Sequence, residues 1–290
     1  MKKSALIYIV LAGVLWGTSG IFVNLLSPYG FTPVQMTCMR SVVSAVCVGV
    51  YLLLRDRGAF RVSLSQLWML ALGGAGLFGT ATLYYAAIGH SSVSTAVVLM
   101  YTAPVFVMAY SVAFLGEKFN IRKAVAVAMV MCGCVLVSGM LAGARFSLLG
   151  TVLSIGSALA SCVYNVSTKI QMVKGCKPLS ATFYSFSVMA LIALCVCRPV
   201  QIVHIAAQRP VYLTLLMIGI GVFTFVLPYL LYTIALRDIP AGTASSLAII
   251  EPMAATVFSV TLFGEKLSLA SFIGIVLILG AVFMLSKTEE

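Results

Sequence analysis

Residues 83–118 read LYYAAIGHSSVSTAVVLMYTAPVFVMAYSVAFLGEK, and residues 231–266 read LYTIALRDIPAGTASSLAIIEPMAATVFSVTLFGEK. The two stretches align without a gap at an offset of 148, and 12 of 36 positions are identical: Leu83/Leu231, Tyr84/Tyr232, Ala87/Ala235, Thr95/Thr243, Ala96/Ala244, Leu99/Leu247, Pro104/Pro252, Ser111/Ser259, Val112/Val260, Gly116/Gly264, Glu117/Glu265 and Lys118/Lys266. Shared apolar composition alone gives roughly 3 matches, so the chain carries an internal duplication. Each copy contains an apolar run of about 20 residues, the length of helix that crosses a ~30 Å hydrocarbon core.

Working outward, ten such runs can be marked: 4–26, 33–54, 66–88, 92–115, 121–141, 148–169, 179–197, 211–236, 241–263 and 268–286. The composition agrees, with 62% hydrophobic and 9% charged residues, against about 45–50% and roughly 25% in soluble domains. The runs divide into two repeats of five, 1–144 and 145–290. An odd number of spans per repeat turns the second copy upside down, about a pseudo-two-fold axis in the membrane plane. The expected fold is therefore an all-α integral membrane protein, with ten transmembrane helices as two inverted five-helix repeats around a central cavity. Between runs no segment exceeds about 13 residues, which leaves no room there for an ATPase domain of ~100 residues.

The net charge of +11 would point to nucleic acid in a soluble protein, but here its distribution follows the loops. With the N-terminus in the cytoplasm, Lys2, Lys3, Arg55, Arg57, Arg61, Lys118, Arg122, Lys123, Lys169, Lys174, Lys177, Arg237 and Lys287 lie inside, and Arg145, Arg198, Arg209 and Lys266 outside. That basic bias places both termini in the cytoplasm and makes the charge a topology signal, with the lipid bilayer as partner and no nucleic acid. The first run is too long for a signal-peptide core and lacks an Ala-x-Ala cleavage site, so it stays as a span. Seven cysteines fall within spans and Cys176 in a loop, where they read as small apolar packing residues. The two Cys-x-Cys pairs cannot clamp a metal in a helix, because residues two apart point about 200° apart. Neither a metal nor a cofactor is expected.

Pro104 and Pro252 remove backbone donors at mid-span in register. Interruptions at corresponding places in two inverted halves mark a transport site, although either proline alone could serve only to kink its helix. Gly13 and Gly17, four apart, suit close helix approach, as do Gly73, Gly76 and Gly79.

Two ionisable side chains lie deep in spans, Arg40 in the second and Glu251 in the ninth, and intramembrane charge is a functional hypothesis by default. Their depths differ by about 5 Å at 1.5 Å per residue, so one cavity can present both. Snorkelling of Arg40, a hydrogen-bonded structural Glu251, or a structural pair of the two are the bland readings. Neither charge has a counterpart in the other repeat: Glu251 faces Ala103 at offset 148, and Arg40 faces Ser185 at offset 145. Trp16, Tyr84, Tyr85, Tyr101, Tyr164, Tyr229 and Tyr232 supply aromatic rings with polar tips, some at depths that also suit an interfacial belt.

Enzymatic readings lack their parts. Gly17-Thr18-Ser19-Gly20 has the spelling of an intramembrane serine protease, but His90 and His204 belong to external loops; Asp56 and Asp238 sit in cytoplasmic loops, away from any aspartyl-protease site. No ring of repeated charges or filter carbonyls suggests a channel.

Leu15-Trp16-Gly17 in the first span, an arginine in the second, Gly116-Glu117-Lys118 after the fourth, Glu251-Pro252 in the ninth and Gly264-Glu265-Lys266 after it resemble, over nearly the whole chain, the EamA branch of the drug/metabolite transporter superfamily. Ala160-Ser161 departs from the Trp-small pair expected in the sixth span. The resemblance implies a carrier of the bacterial cytoplasmic membrane, with a cavity lined by the first four spans of each repeat. It implies substrate contacts at Trp16, Arg40, Tyr84, Tyr101, Tyr164, Tyr232 and Glu251, the last also a candidate for a coupling proton. Export of amino acids or related metabolites by alternating access is the leading expectation for the small-molecule substrate. Uptake of an organic cation such as choline, or a non-transporting assembly role, are the alternatives.

Overall fold

The computed structural model describes residues 3–118, 120–138, 140, 147–264 and 268–288. Arg145, Glu265, Lys266 and the extreme termini lie outside them. The described residues are helical, with no strand among them.

In chain order the helices are α1 (Lys3–Gly17), α2 (Ser19–Leu26), α3 (Pro33–Arg55), α4 (Leu64–His90), α5 (Val93–Met100), α6 (Ala103–Phe114), α7 (Ile121–Val137), α8 (Leu148–Val173), α9 (Pro178–Val196), α10 (Pro199–Ala206), α11 (Pro210–Gly221), α12 (Leu227–Ala235), α13 (Ala241–Leu247), α14 (Ile250–Phe263) and α15 (Leu269–Thr288). Polar side chains set several starts: Thr32 and Gln35 close a capping box on α3, Ser63 and Gln66 another on α4, and Ser92, Asn120 and Ser147 cap α5, α7 and α8.

Eight helical stretches are long and apolar enough to cross a membrane: Ser4–Tyr29, Pro33–Arg55, Leu64–His90, Val93–Phe114, Leu148–Val173, Pro178–Val196, Pro210–Ala235 and Ala241–Leu262. The chain is thus a multi-pass membrane protein, with eight such spans among the described residues where the sequence predicts ten. The two missing from the count are the fifth and tenth runs. Both are helical but short: α7 has 17 residues and the apolar part of α15 is Leu269–Leu285.

Several helix contacts have a counterpart when the two halves are exchanged. Packing of α4 on α8 is matched by α1 on α12, α4 on α9 by α3 on α11, and α6 on α8 by α1 on α14. Contacts of α3 with α9 and α7 with α15 map onto themselves. The closest approaches need glycine. A Cβ on Gly17 would stand 2.7 Å from Ala254 Cβ and 2.9 Å from Ala255 N of α14; one on Gly74 would stand 2.4 Å from Ser185 O of α9.

Among the contacts without a counterpart is the one between the fourth and ninth spans. Spans four and nine touch through α6 and α13, with Met108 against Gly242. Their other halves, α5 and α14, stand apart across a cavity of about 470 Å³ lined by Val93, Ser94, Val97, Thr256, Ser259 and Ser271 among others. At the closed end two polar contacts tie the halves to each other, and a third, from Lys169, joins two spans of the second half. Glu117 Oε1 accepts from Ala241 N at 2.8 Å, at a helix start where Pro240 offers no side-chain cap. Lys169 Nζ donates to Leu236 O at 2.8 Å and Ile239 O at 2.7 Å. Lys177 Nζ meets Asp56 Oδ2 at 2.6 Å, and this hydrogen bond holds the Asp56 carboxyl below its ordinary value.

Candidate functional site

Span four breaks between α5 and α6 at Tyr101–Thr102, and span nine between α13 and α14 at Ala248–Ile249, adjoining positions at offset 148. In each case the proline lies just beyond the break. Pro252 cannot donate to the Ala248 carbonyl, which accepts instead from Glu251 N at 3.2 Å in a tighter i−3 bond. In span four, Thr102 N likewise bonds Leu99 O at 3.2 Å. Glu251 therefore emerges in the first turn of a half-helix, and Gly13 and Gly17 of α1 lie directly against that turn.

Arg40 is held by three contacts on one side. Its Nη2 donates to Thr37 Oγ1 and to Tyr85 OH, both at 3.3 Å, and its guanidinium carbon lies 4.8 Å from the centroid of Phe225. That cation–π platform belongs to a single π-helical segment, Val222–Val226, inserted between α11 and α12. Such insertions shift the register of everything that follows in the helix and are frequent at functional sites.

Phe225 opens a connected set of rings. It packs on Tyr229 at 5.0 Å and Phe186 at 5.4 Å. Tyr229 is the hub: Trp16 meets it edge-on at 5.0 Å, and Tyr164 and Phe186 each at 5.4 Å. Trp16 also touches Tyr232 at 5.6 Å, and the Tyr232 hydroxyl donates to Asn165 Oδ1. A second group surrounds Glu251: Tyr101, Tyr84 and Arg40 are close enough to act on its carboxyl electrostatically. Tyr84 packs on Tyr85 at 5.4 Å, and Tyr85 bonds Arg40, so the two groups are continuous.

The seven residues singled out by sequence, Trp16, Arg40, Tyr84, Tyr101, Tyr164, Tyr232 and Glu251, thus meet in one assembly. None of them lines the 470 Å³ cavity or the recess of about 80 Å³ between Gly17, Asn24 and Phe258; their rings pack on one another edge-on or tilted. Phe186, Phe225 and Thr37 carry no sequence signal of their own. Tyr85 and Tyr229 do, as members of the wider set of polar-tipped aromatics.

Two N–H groups of this assembly are buried without a hydrogen-bond partner: Trp16 Nε1 and Arg40 Nε. An orphaned buried donor costs roughly 1–3 kcal/mol, more when charged, so an acceptor brought to either group would be favoured. With the Glu251 carboxyl alongside, the cluster offers donors for an anionic group and an acceptor for a cationic one.

The comparisons with known proteins agree with a carrier. The model of the EamA-like transporter family matches the chain twice, over residues 3–139 and 148–287. An uncharacterized transporter of Archaeoglobus fulgidus is 29% identical over 95% of this chain and 94% of its own length, and one of Bacillus subtilis is 23% identical over 98% and 94%. A crystal structure with 20% sequence identity superposes with a TM-score of 0.81, covering 99% of this chain and 98% of the other, which shows the shared fold. The family matches in both halves, and the multi-pass helical structure beneath them, identify the chain as a member of the EamA-like transporter family.

Proposed function

We propose that the chain is a secondary transporter of amino acids or closely related zwitterions, exporting them across a bacterial cytoplasmic membrane by alternating access of two inverted five-helix repeats. The observation that carries the substrate class is the pair of buried, partnerless donors on Trp16 and Arg40 beside Glu251. The Arg40 fork, held from one side by Thr37 and Tyr85, receives a carboxylate. Glu251 receives the ammonium group or carries a coupling proton. A plain cation such as choline fits the rings but meets the positive charge of Arg40, which weighs against that alternative. The direction, export, follows the family resemblance.

Counting α7 and α15 as short spans gives ten; at 1.5 Å per residue 17 residues reach about 25 Å, enough for a thin or locally compressed core. Five spans per half then invert the second repeat, and the basic bias of the loops puts both termini in the cytoplasm. On that orientation the packed α6–α13 end faces the cytoplasm and the α5–α14 cavity opens outward. Alternating access would then pass to a second state with α5 and α14 packed and α6 and α13 parted.

A thermal-shift series on the purified protein tests the substrate class. A zwitterionic ligand at 100 times its Kd stabilises by about 2.7 kcal/mol, and should raise the melting temperature where its decarboxylated amine and its N-acetyl derivative do not. Stabilisation by the amine alone would overturn the assignment in favour of an organic cation.

A further inference from the structure

The cysteines read in sequence as packing residues include one pair that does more than pack. Cys38 of α3 and Cys197, at the end of α9, lie 159 positions apart in the chain, yet the Cys197 thiol donates to Cys38 Sγ at 2.9 Å. Both are buried, and both are free thiols. Sulfur atoms that close lack only about 0.9 Å of the 2.03–2.05 Å bond length of a disulfide. Nothing intervenes between them, and they share one apolar cluster with Met36, Met39 and Ala193.

We propose that Cys38 and Cys197 are a redox-closable cross-link that fixes the second span to the seventh and so locks the two repeats together. The position gives the bond its effect. The α3–α9 contact is one that maps onto itself when the halves are exchanged, so a covalent bridge there spans the repeats. Cys38 is also two residues from Arg40, on the same helix. The outward placement of both thiols rests on the orientation under Proposed function, and it puts them towards the side where thiols oxidise. The cross-linking geometry does not depend on that orientation or on the substrate.

The reaction is thiol–disulfide exchange with a small or protein disulfide as oxidant. One cysteine, as thiolate, attacks a sulfur of the oxidant, forming a mixed disulfide and releasing one thiol. The second, having lost its proton to solvent, displaces the remaining oxidant sulfur as a second thiol. Two cysteine thiols and one oxidant disulfide become one protein disulfide and two oxidant thiols, with no electron unaccounted for.

The test uses the full-length protein in detergent, treated with 4,4′-dithiodipyridine, quenched by alkylation and digested for peptide mass mapping. The expected result is a single linked peptide pair containing Cys38 and Cys197, cleaved by reductant, together with an upward shift of the melting temperature of several degrees that reductant reverses and that Cys38→Ser and Cys197→Ser both lack. Recovery of Cys38 and Cys197 as separately alkylated or separately pyridylated peptides would overturn the pairing. A mapped link without a melting shift would overturn the lock. Either failure leaves the zwitterion assay untouched, because that assay is run on the reduced protein.

Discussion

Gly17→Ala adds one methyl group to α1 at the point where it crosses the broken ninth span. The new Cβ would lie 2.7 Å from Ala254 Cβ, 2.9 Å from Ala255 N and 3.1 Å from Glu251 O. Optimal carbon contacts fall at about 3.5–4.0 Å, so roughly 1 Å of separation is required. The obstructing atoms are backbone or a first side-chain carbon, so none can rotate aside. Overpacking of this kind costs about 1–3 kcal/mol. Gly20→Ala on α2 is the matched control: no heavy atom lies within 4 Å of its added Cβ. Both substitutions remove glycine's freedom in the unfolded chain, a stabilisation of about 0.4–1 kcal/mol, so that effect cancels in the difference between them. For a chain of this size 1 kcal/mol moves the melting temperature by about 2–4 °C. The expected difference, Gly17→Ala below Gly20→Ala, is roughly 2–12 °C in thermal unfolding of the purified proteins. The same displacement moves the turn that carries Glu251, so ligand stabilisation should weaken in Gly17→Ala alone. Melting temperatures within about 1 °C of each other would refute the close-contact argument.

Arg40→Lys should lose at least tenfold in zwitterion binding with little change in melting temperature, because an ammonium cannot reproduce the two parallel bonds of a guanidinium to a carboxylate; normal transport by Arg40→Leu would show that the residue only anchors its helix. Glu251→Gln separates two roles: a proton carrier loses gradient-driven accumulation but keeps substrate exchange in proteoliposomes, whereas an ammonium receptor loses binding itself, and a variant unchanged in both would remove Glu251 from the mechanism. Glu117→Ala takes the acceptor from Ala241 N and should weaken closure of the α6–α13 end, read as faster alkylation of a cysteine introduced at Met108; an unchanged labelling rate would mean that the cap plays no part in closure.

The fold was legible because its signals are redundant. Each span repeats the apolar signal about 20 times, and the duplication prints the same break and the same Gly-Glu-Lys twice. Span ends were less legible: α4 starts two residues before the predicted run, because Ser63 and Gln66 close a capping box there, a signal that hydrophobicity does not register. The ionisable members of the site stood out because charge in hydrocarbon is costly. Its neutral members did not. Phe225 is one of 16 phenylalanines, and it reaches Arg40 through a π-helical insertion that no periodicity announces. Whether rings line a cavity or fill it depends on their tilts, which the sequence does not encode in any local pattern.

Tyr84 and Tyr232 show how one inherited position acquired two uses. They are identical residues at the 148 offset, on α4 and α12. The span facing Tyr232 carries Asn165, whose Oδ1 accepts the Tyr232 hydroxyl in a fully buried contact. In the first half Gly17 offers no side chain and admits α14 at the turn bearing Glu251. Tyr84 packs on Tyr85 and lies close enough to Glu251 to act on it electrostatically. We propose that the second-half tyrosine serves mainly the fold and the first-half tyrosine the substrate. Tyr232→Phe should accordingly destabilise by about 1–3 kcal/mol, the cost of leaving the buried Asn165 amide oxygen unpaired, while ligand-induced stabilisation persists. Tyr84→Phe should reverse the pattern, with a melting temperature near that of the parent and weakened zwitterion binding. If the two variants behave alike in both measurements, the division of roles between the repeats is wrong.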